Sequence, residues 1–310
     1  MPFASGDLID IALEELHPTQ AVLGYDEVYY KLGRYRANKD VVAGGVNRKF
    51  EDWCEANGEG TAASVSAGAR LDDRSSFTCT TRLGAETEES LAPMKTVVIG
   101  PRGEVFLTDG HHTLTSFWET ADGGPGMHVR VRVLGNLSTL STEEFWWEMQ
   151  ARGWSWLYDE RDQPIAPHQL PQRLGLREFR HDPYRGMIYF ARDVGYEQLP
   201  ENAAFQEFYW ARWIRRSADP ALSLSACDLN DLTSYLALVQ ATAHAMTALG
   251  DDDVVSDGRS ARQIGKMPSF DASVFAKLSN PFADPKPGKV AYALEYRSKL
   301  PTPLTATPSR

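Results

Sequence analysis

The sequence predicts an α+β protein with its strands concentrated before residue 140 and helices dominating after it. Three observations carry this reading. Val97-Val98-Ile99 and Val105-Phe106-Leu107 are apolar, strand-forming runs around a Gly100-Pro101 and Gly103 turn signal. Met127 to Leu134 alternates with period two, as a half-buried strand does. From Ser141 onward the apolar residues fall at helical spacing over several long stretches.

Leu8 to Leu13 fits a strand or a short helix and ends at Pro18. Tyr25, Val28, Tyr29 and Leu32 form a helical stripe across residues 25–35. Between Glu51 and Pro93 the composition shifts to Gly, Ala, Ser, Thr and acid with little periodicity. Such a stretch reads as a long, mobile insertion.

Next, Asp109-Gly110-His111-His112-Thr113 stands where a strand hands over to a helix. Unpaired N–H groups at a helix start suit a phosphate, and this loop adds a carboxylate, two imidazoles and a hydroxyl. The structural alternative makes Asp109 a turn or N-cap residue and Gly110 only a positive-φ residue.

Ser141-Thr-Glu-Glu144 is a capping box opening a helix that carries Phe145, Trp146 and Met149 and stops near Gly153. Residues 164–182 read as loop with a short helix, and Asp182-Pro183 opens the next helix. Ala204 to Ser217 is apolar over most of a helical circumference, so it is buried. Arg212 and Arg216 in that helix require a structural carboxylate or an anion. Residues 228–249 form one more amphipathic helix. Beyond it, 251–310 reads as a linker and mostly irregular tail, with one ordered candidate at Val290 to Tyr296.

Composition narrows the function. The chain of 310 residues is 42% hydrophobic and 24% charged, as a soluble globular protein is. No stretch approaches the ~20 apolar residues that cross a bilayer. The first residues lack the basic and apolar regions of a signal peptide. A net charge of −10 argues against a protein built mainly to grip nucleic acid. Cys54, Cys79 and Cys227 are odd in number and widely spaced, offering neither a zinc pair nor a disulfide framework. A reducing cytoplasm follows as the default.

Several motifs in order resemble one family. They are Glu15-Leu-His-Pro-Thr-Gln20, Gly24-Tyr-Asp-Glu-Val28, Asp109-Gly-His-His112, Asp182-Pro-Tyr-Arg185 and Phe205-Gln-Glu-Phe-Tyr-Trp-Ala-Arg-Trp-Ile-Arg215. Together they resemble the ParB-like nuclease family of the ParB/sulfiredoxin superfamily, over roughly residues 8–250 apart from the 51–93 insertion. The resemblance implies a small mixed sheet with helices, a helical extension over 140–250, and a strand-turn-helix loop that holds nucleotide phosphates. His111 stands where sulfiredoxins need a cysteine, which excludes sulfinic-acid reduction. The Gly-Glu-Arg-Arg loop of chromosome-segregation ParB proteins is missing. The free serine kinases carry Asp-Gly-His-Thr-Arg; Asp109, Gly110 and His111 match, whereas His112 and Thr113 depart.

These readings give a phosphoryl-handling enzyme that binds a nucleotide or another phosphorylated small molecule. Asp109 is the expected base or magnesium ligand, and His111 the expected acid or charge stabiliser. Adjacent residues on a helix point about 100° apart, so only one of His111 and His112 faces the substrate. Glu27 is a candidate second carboxylate. Gly110, Thr113 and Gln20 are expected to contact phosphate or substrate, with Arg185 as a guanidinium clamp whose structural alternative is a salt bridge to Asp182. One alternative is a metal-dependent nuclease with a groove from Arg173, Arg177, Arg180 and Arg192. Another is a non-catalytic nucleotide-binding module that recruits a protein. A zinc site from His111, His112 and His181 lacks any HExxH-type spacing.

Overall fold

The computed structural model describes residues 3–39, 41–42, 45–199 and 205–301. The chain forms two compact units and passes between them several times. Unit one comprises Met1–Ala21, Arg34–Asp159 and Gln163–Phe179; unit two comprises Val22–Gly33, Glu160–Asp162 and Arg180–Arg310. Neither unit begins or ends at residue 250. Helix α1 (Tyr25–Ala37) contributes residues to both units.

Unit one is built on a five-stranded mixed sheet. Its strands are β1 (Leu8–Ala12), β2 (Leu16–Pro18), β3 (Thr96–Ile99), β4 (Val105–Asp109) and β5 (His128–Asn136), in the spatial order β1-β5-β3-β4-β2. β1 runs antiparallel to β5, and β5 parallel to β3. β3 and β4 form the hairpin read from the sequence, while β2 adds in parallel at the edge, with His17 opposite Phe106.

Helix α2 (Arg48–Ala56) starts at Asn47, whose side chain accepts from the Lys49 amide at 3.0 Å. Helix α3 (His111–Glu119) follows β4 and buries Leu114 and Phe117. Helix α4 (Thr142–Ala151) opens on the expected capping box. The Ser141 hydroxyl accepts from the Glu144 amide at 3.3 Å, and Glu144 accepts from the Ser141 amide at 2.9 Å. Phe145 and Met149 of α4 pack on Val98 and Phe106 of the sheet.

The insertion at 51–93 is structured, which corrects the expectation of a long mobile loop. Ala62–Val65 and Phe77–Cys79 form an antiparallel hairpin. A disulfide joins Cys79 to Cys54 on α2, closing a sequence separation of 25 residues. Phe77 lies 4.9 Å from Phe50 and 5.3 Å from Trp53 by ring centroids, and the Arg74 guanidinium sits over both Trp53 and Phe77. Asp122 accepts from the Leu71 amide at 2.9 Å and pairs with Lys49 at 2.6 Å. Three distant cysteines gave no framework in the sequence because this pairing depends on the hairpin folding back onto α2.

Unit two is largely helical. Helices α5 (Pro183–Ala191), α6 (Gln206–Arg215), α7 (Leu232–Ala248), α8 (Ala272–Leu278) and α9 (Lys289–Ser298) account for most of it. Asp182 caps α5 by accepting from the Arg185 amide at 3.1 Å, and Asp231 caps α7 through the Ser234 amide at 2.7 Å. α6 matches the apolar stretch read at 204–217, whose first residue lies outside the described ones. Arg212 meets the structural carboxylate it required, Asp162, at 2.7 Å.

The tail is more ordered than its composition suggests. Val254–Ser256 and Arg259–Ser260 pair as a hairpin, Asp271 caps α8, and α9 buries Val290 and Tyr292. Residues 302–310 lie outside the described residues.

Candidate active site

The strand-to-helix loop of unit one is the candidate site. β4 ends at Asp109, and Gly110 turns the chain at φ +102°, a left-handed conformation that favours glycine. The first helical bond runs from the Leu114 amide to the Gly110 carbonyl at 2.9 Å. The amides of His111, His112 and Thr113 therefore have no intrahelical carbonyl, and Gly110 offers no side chain to cap them.

Asp109 is neither the N-cap residue nor an ion-pair partner. Its half-buried carboxylate accepts no hydrogen bond from any described residue. The helix starts on Gly110, so of the two structural alternatives for Asp109 the N-cap one does not apply.

His111 behaves otherwise. It is buried, and its Nε2 accepts from the Thr19 amide at 3.1 Å. Burial pushes the imidazole down to about 3, so it is neutral at physiological pH. A neutral ring whose Nε2 lone pair is already used has no proton to give there. His111, expected as an acid or charge stabiliser, thus has its Nε2 engaged by the residue that follows β2. His112 is also buried, and its carbonyl accepts from the Ser116 hydroxyl at 2.8 Å. Thr113 is half-buried on the first turn.

The Pro-Thr-Gln turn completes this frame. The Thr19 hydroxyl donates to the Leu107 carbonyl at 2.7 Å, and its carbonyl accepts from the Trp156 amide at 2.8 Å. Gln20, next in sequence, is 3% exposed and bridges to Trp156. The structure therefore brings Gln20, Asp109, Gly110, His111, His112 and Thr113 into one unit.

Glu27 and Arg185 belong to unit two, where each is already engaged. Arg185 Nη1 lies 3.0 Å from Glu27 Oε2, and Nη2 lies 3.6 Å from Glu207 Oε2. Arg192 also pairs with Glu207. Burial raises the Glu207 carboxyl, but the Arg192 and Arg185 charges outweigh it and hold the group below its ordinary value. Arg185, expected as a phosphate clamp, and Glu27, expected as a second carboxylate, thus meet each other in unit two. The alternative partner, Asp182, meets Arg185 only through its backbone amide and pairs instead with Arg215 at 2.7 Å.

Lys95, not singled out in the sequence, also borders the loop. A Cβ on Gly110 would meet Lys95 Cδ at 2.4 Å, Cγ at 2.5 Å and Cβ at 2.9 Å, so the lysine stem runs across the loop glycine. Lys95 is half-buried, and its ammonium forms no hydrogen bond or ion pair with a described residue. The available signal was the hairpin register: Thr96 pairs with Asp109, so the preceding residue falls beside Gly110.

Other chemistry is weaker. Among the described residues, no group of three or more His, Cys, Asp or Glu could hold a metal ion. The arginines read as a nucleic-acid groove are partly neutralised: Arg173 pairs with Glu178 at 3.1 Å in unit one, and Arg180 pairs with Glu160 at 3.3 Å in unit two. A cavity of about 750 Å³ in unit one is bounded by His17, Phe106, Trp146, Trp147 and His168; Asp109 and Gly110 do not line it. Among the described residues, no helix is long and apolar enough to cross a membrane.

Comparison with known proteins agrees with the ordered motifs. Residues 9–216 match the model of a family described as "Putative ParB-like nuclease". No curated protein matches. Among solved structures, the chain is similar to protein Atu1540 from Agrobacterium tumefaciens, with 22% identity and a TM-score of 0.49. That match covers 77% of this chain and 91% of Atu1540.

Proposed function

From the premise that this chain belongs to the ParB-like nuclease family, we propose that unit one is a phosphoryl-handling site for a nucleotide or another phosphorylated small molecule. One observation carries this reading: the Asp109 carboxylate is half-buried, has no partner among the described residues, and immediately precedes an uncapped helix start. A half-buried charge with no protein partner costs free energy unless a ligand or water compensates it.

In this reading the amides of His111, His112 and Thr113 bind phosphate oxygens, aided by the helix dipole. Asp109 takes the proton from an attacking hydroxyl or water, either transferring the phosphoryl group or hydrolysing it. Gly110 permits close approach, and Gln20 and the Thr113 hydroxyl orient the substrate. His111 acts only by positioning the loop. The donor set suits magnesium, which takes one carboxylate together with phosphate oxygens and waters; Asp109 would hold it, and it would neutralise phosphate charge.

The family description favours a second reading, metal-dependent cleavage of phosphodiesters at the same loop. Its acidic surface and paired arginines make it the weaker reading for long nucleic acids. Affinity for oligonucleotides that falls steeply with salt would support it.

A thermal-shift screen of nucleotides identifies the ligand. Saturation at 100 times the dissociation constant adds about 2.7 kcal/mol of stability. With that ligand, Asp109→Asn should lower turnover by about a hundredfold or more while leaving the melting temperature near wild type. Wild-type turnover in Asp109→Asn would end the catalytic reading. Tight binding without product in the wild type would leave a non-catalytic binding module.

A further inference from the structure

We propose that the cavity bordered by helix α4 is a binding site for an organic cation with an alkylated ammonium head, of the kind found in choline. It lies in unit one, is not lined by Asp109 or Gly110, and does not depend on the phosphate reading. Its volume of about 750 Å³ is in the range that small-molecule sites occupy. Phe106, Phe145, Trp146 and Trp147 line it. The Trp146 ring meets Phe106 at 84° and Phe145 at 71°, so these rings stand as walls at steep angles and not as a stack. Trp147, the next residue, is 67% exposed. One isolated exposed apolar side chain needs no explanation, but this indole extends an aromatic wall along a cavity, as a ligand contact does.

Charge selects the ligand. The lining Arg102 is spent on Glu104 at 2.7 Å. Glu143 is exposed, and its carboxylate forms no hydrogen bond or ion pair with a described residue. It stands one helical turn before Trp146 and Trp147, and all three line the cavity. One face of α4 thus offers a free anion beside two indoles. A carboxylate in this first turn also suits the helix dipole, but that role places no demand on the indoles. Aromatic faces attract a cation, and the carboxylate adds to that attraction. A primary ammonium would bring three donors to a wall of rings, whereas an alkylated head brings none.

Titration calorimetry on the full chain compares choline with its uncharged carbon isostere, in which tert-butyl replaces trimethylammonium. Wild type should bind choline about tenfold more tightly than the isostere. Trp147→Leu keeps an apolar side chain, removes the ring face and should lose about tenfold in choline affinity. Glu143→Gln keeps the shape, removes the charge and should lose about threefold. Both side chains are exposed, so the melting temperatures should stay near wild type.

Equal affinity of wild type for choline and the isostere, or no choline binding at all, would overturn the cation site. Wild-type choline affinity in Trp147→Leu would overturn the aromatic recognition, and wild-type affinity in Glu143→Gln the part given to the carboxylate. None of these results bears on the loop at the start of α3.

Discussion

Two charged clusters in this chain are built in opposite ways. In unit one, Asp109 and Lys95 flank Gly110 and neither is paired with a described residue. In unit two, Arg185, Glu27 and Glu207 are buried and Arg192 is half-buried, and the four are joined by ion pairs. Proteins tolerate unpaired charge where a ligand will meet it and pair it where it serves the fold. The contrast thus sets the proposed site apart from a scaffold, although both clusters carry residue types common in active sites.

The largest effect should come from breaking the scaffold. Arg185→Met leaves two buried carboxylates under-compensated and should cost about 3–5 kcal/mol, read by urea unfolding. A neutral result would mean that the network is dispensable and that Arg185 must again be considered for ligand binding.

Removing the disulfide should rank next. For a loop of this size, Cys54→Ala with Cys79→Ala should cost about 3 kcal/mol in denaturant melts. Reductant should lower the stability of wild type and not of the double variant. The disulfide also weighs against the reducing cytoplasm expected from the cysteine count, since such bonds persist in oxidising compartments.

The smallest effect concerns His111, the partnered member of the unpartnered site. Its pKa is depressed from 6.5 to about 3 by burial, so the unfolded chain binds a proton that the folded chain refuses. Its stabilising contribution is therefore full above about pH 6.5 and declines as pH falls toward 3. Between pH 7 and pH 5 the loss should be about 2 kcal/mol. His111→Gln keeps an acceptor for the Thr19 amide and should flatten this slope. An unchanged slope would assign the acid sensitivity elsewhere, for instance to His181, which burial also lowers.

The sequence already contained much of unit one. β-Branched residues, turn glycines and a capping box act locally, so β3, β4, α3 and α4 could be read with their ends nearly in place. The same held for the Asp109 loop, because a strand-to-helix change is a local signal. Lys95 was not legible from residue type alone; one lysine after Met94 has no pattern, and its position follows from hairpin register. Cys54 and Cys79 were missed for a similar reason, their contact being set by tertiary folding. Arg185 and Glu27 misled because acid and guanidinium look alike in sequence whether they await a ligand or each other. The tail after residue 250 was underestimated since its Pro, Ser and Lys residues masked the capped helix α8, whereas α9 covers the ordered candidate read at Val290 to Tyr296.

The central claim is that phosphate binds at the start of α3. An amide NMR titration with a nucleoside triphosphate tests it most directly. The resonances of Gly110, His111, His112 and Thr113 should move and saturate together. Saturable shifts elsewhere, with these four amides still, would contradict it.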